Sequence, residues 1–261
     1  MLKMVSERLK KEVEQKKEFL ISRYGEAGYA LRRNNKERAF LQNLAHVYSW
    51  WLEHPDLRRL LLEVERKDKK NVRRIARIGA RQVGEAWEYL KSETKRNVVD
   101  SLTPKLIKDL GNIVDRNNTG YRRGTVSLGL GKYVPPNPLR VSYYIEGTIE
   151  YLKTRRGLHL LEAATYLHLR IVGIQPFNDG NKRVARLLQN KVLLDGELPI
   201  VLISPGEREI YTDLLEEGLA DFRDEKIEGV RKFGNFIASK VNIALDDMIG
   251  DLRPRGYVYK I

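Results

Sequence analysis

The 261-residue sequence contains no cysteine and only four histidines. The lack of cysteine excludes disulfides and thiolate metal sites, and so few histidines argue against a structural zinc site. The sequence has no run of about 18 apolar residues, so it predicts no transmembrane helix and no membrane partner. Its first residues are charged and amphipathic rather than apolar, which is unlike a secretory signal. These absences predict a cytoplasmic protein.

Negative charge is also in short supply. The chain has 35 Asp and Glu against 48 Lys and Arg, which gives a formal net charge of +13. Such an excess of positive charge favours acidic partners, namely nucleotides, nucleic acids or an acidic protein surface.

The strongest concentration of positive charge is in residues 66–81. On a helix, five of its cations form one stripe: Lys70, Arg73, Arg74, Arg77 and Arg81. Such a stripe could bind nucleic-acid phosphates. We favour a solvated helix face, because no helix-turn-helix signature and no interleaved aromatic residues accompany the stripe.

The most informative stretch is residues 175–186. It follows residues 160–174 and overlaps the start of residues 184–193. In both of these segments apolar side chains recur every three or four positions. This spacing predicts two helices joined by a tight polar loop. Pro176 disfavours helical backbone at Gln175 and should help to end the first helix.

The loop also contains residues suited to starting the second helix. Asn178 and Asp179 are natural N-caps, and Gly180 permits a turn that a side chain would forbid. Asp179 could in addition hold the Mg²⁺ that accompanies a nucleotide.

Three cations follow at the start of the second helix: Lys182, Arg183 and Arg186. Cations at this end oppose the helix dipole, so their placement makes sense if an anion binds there. Backbone N–H groups flanked by two guanidinium groups are typical of a polyphosphate site. A capped helix with a solvated basic end is the alternative, and spacing alone leaves both open.

The whole stretch resembles the signature of the Fic family, H-P-F-x-D/E-G-N-G/K-R-x-x-R. It reads Gln-Pro-Phe-Asn-Asp-Gly-Asn-Lys-Arg-Val-Ala-Arg and departs from the signature only at Gln175, where the family has its catalytic histidine. The resemblance implies a mainly α-helical fold and an activity that transfers AMP from ATP to a hydroxyl of a target protein. A minority of the family transfers other phosphate-containing groups. The implied ligands are ATP and Mg²⁺, with Asp179 at the metal and the phosphates held by Gly180, Asn181, Lys182, Arg183 and Arg186.

A second region supports the resemblance. Thr103 and Pro104 should cap and open a helix, and the glycine-rich residues 120–136 that follow predict a β-hairpin. In Fic proteins a hairpin flap at this point clamps a segment of the target protein beside the nucleotide. The corresponding flap residues here are Thr125, Val126, Ser127, Leu128 and Gly129.

The chain is therefore predicted to contain three parts. These are a helical N-terminal extension over residues 1–81, a Fic-like (Fido) domain over residues 82–245 and a C-terminal tail over residues 246–261. The target protein is not identified by any sequence feature.

Gln175 makes the activity uncertain. A histidine can take a proton from an attacking hydroxyl near neutral pH, whereas a glutamine amide cannot. The phosphate-binding residues are retained, so nucleotide binding should survive the loss of the base. Two hypotheses follow: an impaired adenylyltransferase, or a non-catalytic regulatory module that binds a nucleotide or, less favoured, a nucleic acid.

Overall fold

The helices of this chain surround the junction of two buried helices. The computed structural model describes residues 3–39, 66–94, 97–127, 133–155 and 157–250, and these ranges contain α-helices and no β-strand. The helices described are α1 (Glu7–Ala39), α2 (Arg66–Glu93), α3 (Val98–Ser101), α4 (Pro104–Val114), α5 (Val141–Thr154), α6 (Leu160–Ile174), α7 (Asn181–Asp195), α8 (Arg208–Arg223) and α9 (Glu228–Gly250). The mainly α fold predicted from the sequence is thus confirmed.

Helices α6 and α7 form the centre of the core. Every residue of α6 from Leu161 to Ile174 is buried except Arg170, and α7 is buried from Arg183 to Leu193. Helices that are buried on most of their faces belong to a core rather than to a surface. The loop between these two helices is therefore anchored at both ends in the core.

Helix α4 begins as the sequence predicts. The Thr103 hydroxyl accepts a hydrogen bond from the Leu106 amide at 3.0 Å, and Pro104 occupies the first helical position. Proline suits that position because its missing N–H would have no partner inside the helix. The far end of α4, at Gly111 and Val114, packs against the α6–α7 loop.

Helix α1 is kinked near its middle, where Gly25 adopts a φ of 68° and ψ of 168°. The start of the chain packs on α9 so closely that a Cβ atom on Gly234 would lie 2.0 Å from the Met4 carbonyl oxygen. The Ser6 amide also donates to the Asn235 side chain at 2.9 Å.

Helix α2 is continuous across residue 81, where the sequence places the end of the N-terminal extension. Trp87, in its second half, is fully buried. The side chains of residues 66–77 lie outside the described part of the structure, whereas Arg81 is exposed and pairs with Glu85 at 2.8 Å. The three-part division and the nucleic-acid partner both remain predictions.

The predicted flap is described only at its flanks. Thr125, Val126 and Ser127 have no regular secondary structure, and residues 128–132, which include Leu128 and Gly129, lie outside the described ranges. The β-hairpin is therefore not observed in the part of the flap that the structure describes. Across the described helices, none is long and apolar enough to span a membrane.

Candidate functional site

Gln175 ends helix α6, and both polar atoms of its side-chain amide are hydrogen-bonded. It adopts a left-handed backbone with φ 48° and is only 6% exposed. Its Nε2 donates to the Val172 carbonyl at 2.9 Å, and its Oε1 accepts from Asn181 Nδ2 at 2.9 Å. The amide therefore satisfies one of the helix-end carbonyls and ties the two sides of the loop together.

Two residues next to the predicted flap satisfy the last carbonyls of α6. The Tyr133 hydroxyl donates to Gly173 O at 3.1 Å, and Arg122 Nη2 donates to Ile174 O at 3.3 Å. Helix ends leave such carbonyls without partners inside the helix, so both contacts stabilise the point at which the chain leaves α6. The sequence analysis identified neither residue as part of the site.

Asn181 and Phe177 fix the interior of the loop. The Phe177 amide donates to Asn181 Oδ1 at 2.8 Å, and Asn181 Nδ2 donates back to Phe177 O at 2.9 Å. The Phe177 ring is fully buried and fills the space beside Gly111, where a Cβ atom would lie 2.2 Å from the ring. The side chain of Asn181 thus holds the loop from the inside.

The N-cap of α7 is Gly180, which corrects the prediction that Asn178 or Asp179 would cap this helix. Gly180 has a φ of 86°, and a Cβ atom there would lie 2.8 Å from Val114 Cγ1. The close approach of α4 therefore requires glycine at this position. Glycine offers no side-chain oxygen, so the N-cap position contributes no acceptor of its own to the start of α7.

Asp179 pairs with Arg183 instead of capping the helix. Its carboxylate accepts from Arg183 Nη2 at 2.8 Å and remains 53% exposed, whereas the Arg183 side chain is 3% exposed. Arg183 Nη1 also donates to Val114 O at 3.1 Å. Two contacts hold a buried guanidinium at the start of α7, next to a carboxylate that solvent can reach.

Asp179 fits a magnesium site that takes few of its ligands from the protein. No cluster of three or more histidine, cysteine, aspartate or glutamate residues suited to a metal occurs in the described ranges. Mg²⁺ is commonly held by one or two carboxylates while phosphates and water supply the other ligands. A half-exposed carboxylate beside an anion site fits that donor set.

Arg186, the second arginine of the stretch, lies beside a buried polar network. Its Nη1 is 3.5 Å from the Tyr211 hydroxyl, which lies 3.0 Å from His168 Nε2. On the other side of the ring, His168 Nδ1 lies 2.7 Å from Gln189 Oε1. Because a carbonyl oxygen only accepts, His168 carries its proton on Nδ1 and accepts from Tyr211 at Nε2.

Burial, together with the nearby Arg186 charge, lowers the pKa of His168 to about 3. The ring is fully enclosed and neutral at physiological pH. His168 therefore cannot replace the base that Gln175 lacks, since it faces the core rather than the loop surface.

The pKa of His168 predicts how stability depends on pH. In the unfolded chain His168 is protonated below about pH 6.5, whereas in the folded chain it stays neutral down to about pH 3. The free energy of unfolding therefore falls as the pH drops below about 6.5. Between pH 7 and pH 5 this group should cost about 2 kcal/mol of the free energy of unfolding. Urea unfolding of the wild type and of His168→Gln at both pH values measures it, since glutamine has no proton to bind. Equal losses in the two proteins would contradict the assignment.

Comparison with known proteins identifies the family. Residues 93–193 match the Fic/DOC family. The chain contains a Fic-family domain. It is 28% identical over 247 residues to the protein adenylyltransferase Fic of Aedes aegypti and 30% identical over 244 residues to that of Drosophila persimilis. These matches cover 90% and 87% of this chain but 46% and 44% of the relatives, so the chain spans less than half of their length.

Solved structures agree on the fold of this Fic protein. A Fic domain containing signaling protein from Bacteroides thetaiotaomicron superposes with a TM-score of 0.68 at 22% identity, covering 91% of this chain and 95% of that one. Fic-1 from C. elegans (aa134–508) gives a TM-score of 0.64 at 17% identity, covering 94% and 72% respectively.

The structure brings the predicted Fic site residues together on one loop and the helix that follows it. Gln175, Asp179 and Gly180 are on the loop, and Asn181, Lys182, Arg183 and Arg186 lie in the first two turns of α7. The described flap residues Thr125, Val126 and Ser127 follow Gly124, whose carbonyl is held by Arg122. Of the three cations at the start of α7, Arg183 and Arg186 are buried and Lys182 is partly exposed.

Proposed function

We propose that this Fic protein binds ATP with Mg²⁺ at the start of α7, and that its transfer of AMP to a protein hydroxyl is impaired by Gln175. The proposal depends above all on Arg183 and Arg186, which are 2% and 7% exposed at the start of a buried helix. Guanidinium groups fixed in this way offer phosphate oxygens charge-assisted hydrogen bonds, and the helix dipole adds to their attraction. Family membership supports this reading, as do the adenylyltransferase names of its relatives.

Each residue has a separate task in this proposal. Lys182, Arg183 and Arg186 bind and orient the phosphates, and Asn181 keeps the loop in shape so that the α7 backbone faces the ligand. Asp179 would hold Mg²⁺, which when bound neutralises phosphate charge that develops during transfer. The target protein would dock at the flap, with Thr125, Val126 and Ser127 on the described flank and Leu128 and Gly129 outside the described residues.

At position 175, where the Fic signature has its base, this chain has no group that can take the proton from the attacking hydroxyl. Gln175 has the position of the base but its amide does not titrate near neutral pH. Transfer would therefore depend on deprotonation by water or by neighbours of the target hydroxyl, without the rate gain of about 10²–10⁴ that a positioned base gives. The cytoplasmic location predicted from the sequence belongs to this proposal as well.

One observation favours a second candidate function, a regulatory module that binds a nucleotide without transferring it. Both polar atoms of the Gln175 side chain are engaged within the protein, by Val172 and Asn181. A side chain whose polar atoms are both hydrogen-bonded in the loop maintains the shape of a binding site without taking part in a reaction. Nucleotide binding is common to both candidates.

Replacement of Arg183 tests the binding that both candidates share. Arg183→Ala should weaken Mg·ATP binding by about 1–3 kcal/mol, the usual worth of a hydrogen bond to a charged group. Isothermal titration calorimetry measures the change. Arg8→Ala is the matched control, because Arg8 is exposed, pairs only locally with Glu12 and should leave affinity unchanged. Absence of wild-type binding at millimolar ATP would remove both candidates.

A further inference from the structure

Arg122 is buried at the junction between the predicted flap and the loop of the candidate site. It is 4% exposed, and its guanidinium donates four hydrogen bonds, all to backbone carbonyls. Nε donates to Gln175 O at 2.6 Å and Nη2 to Ile174 O at 3.3 Å, both at the end of α6. Nη1 donates to Gly124 O at 2.8 Å and Nη2 also to Pro136 O at 2.6 Å.

The two carbonyl pairs belong to different parts of the molecule. Gly124 directly precedes the flap residues 125–129 and Pro136 lies at the end of the predicted hairpin, so one side chain holds both flanks of the flap. The Arg122 amide adds a third contact to the loop by donating to Pro176 O at 2.8 Å. Displacement of the loop backbone at residues 174–176 must therefore disturb the flanks of the flap, and the reverse also holds.

A charged residue is an unusual choice for this position if it serves stability alone. Burying a charge is costly unless it is paired and hydrogen-bonded, and in the described part of the chain Arg122 has no carboxylate partner. Burial accordingly lowers the pKa of Arg122. The negative end of the α6 dipole offsets part of the cost. Only arginine has a planar fork that reaches carbonyls on two sides at once.

We propose that Arg122 is a positioning residue that couples the flap to the nucleotide-binding loop, so that nucleotide at the loop restrains the flap flanks. The inference rests on the proposed function in so far as the loop ligand is a nucleotide. Coupling of this kind is reciprocal, so a target segment held at the flap strengthens nucleotide binding by the same factor.

Two arms test the coupling in the full chain. The first uses no ligand and compares the wild type with Arg122→Gln and with Arg122→Lys, which keeps the charge but cannot reach both carbonyl pairs. Trypsin cleavage after the exposed Arg123 reports the flap flank. Hydrogen exchange of the Gln175 and Phe177 amides, both hydrogen-bonded in the loop, reports the loop.

We expect both readouts to rise by about tenfold or more in Arg122→Gln, since several hydrogen bonds are lost. Arg122→Lys should show a smaller rise in both and decides the matter if the glutamine variant does not fold. Exchange of the buried α4 amides, such as that of Leu110, identifies global unfolding. Tyr133→Phe is the control, because it removes a contact to Gly173 and leaves the Arg122 carbonyls in place. Faster cleavage after Arg123 with unchanged hydrogen exchange of the Gln175 and Phe177 amides would overturn the coupling.

The second arm adds saturating Mg·ATP. It should slow cleavage after Arg123 several-fold in the wild type and leave the rate unchanged in Arg122→Lys. Equal protection in both proteins would overturn the proposal. If the wild type binds no nucleotide, the proposed function fails, and the ligand-free arm still decides whether Arg122 joins the flap to the loop.

Discussion

Gln175→His should raise AMP transfer from labelled ATP, onto the protein itself or onto lysate proteins, by about 10²–10⁴-fold. The reason is that Gln175 is the only defined position of the signature that this chain has lost. A histidine there has a pKa near neutrality and can accept the proton of an attacking hydroxyl. Autoradiography and intact-mass analysis would both detect the product.

The contacts of Gln175 explain why the substitution should be tolerated. Its Nε2 donates to Val172 O at 2.9 Å, and a histidine ring can donate one N–H to the same carbonyl. That hydrogen bond would fix the tautomer and leave the other ring nitrogen as the base.

Gln175→Asn is the control, because it keeps an amide and supplies no base. If the wild type labels as strongly as Gln175→His, another group provides the base and Gln175 is not the defect. If neither protein labels although both bind ATP, the regulatory module becomes the better account of the site.

Phe177→Ala should lower the free energy of unfolding by about 3–5 kcal/mol, the usual effect of removing a buried aromatic ring. The ring is fully buried, and its edge fills the space above Gly111 in α4. The loop would lose the side chain that fixes it to the core. Chemical denaturation monitored by circular dichroism measures the loss.

Phe19→Ala is the matched control for this substitution, because Phe19 is 48% exposed. Surface substitutions usually change stability by less than about 0.5 kcal/mol. A loss of under about 1 kcal/mol in Phe177→Ala would show that the loop collapses onto the cavity and that the ring does not anchor it.

The positions of the helices could be predicted from local sequence because local rules determine them. Thr103 and Pro104 start α4 as expected, and the apolar spacing in residues 160–174 coincides with α6. The N-cap of α7 was predicted wrongly, since Asn178 and Asp179 are both better caps than Gly180 on intrinsic preference. The decisive contact comes from Val114 in another helix, which leaves room only for glycine.

The charged residues of the site were easier to predict from the sequence than the residues that hold the loop in place. Charge at the start of a helix is visible in the sequence, and in the structure Asp179 pairs with Arg183 while Arg186 follows in the next turn of α7. Their roles at the metal and the phosphates stay predictions. Arg122 is 53 residues from Gln175 along the chain, and no spacing rule relates the two. Arg122 is one of two adjacent arginines in a glycine-rich stretch, and nothing in the sequence marks it as the buried one.

The hydrogen bond from Gln175 to Val172 also bears on how easily evolution can exchange glutamine and histidine at this position. Codons for glutamine and histidine differ only in the third base, so one point mutation converts either residue into the other. Both side chains can donate to the same carbonyl, so α6 keeps its end contact throughout. The glutamine and histidine forms of this loop are thus evolutionary neighbours, with no unstable protein between them.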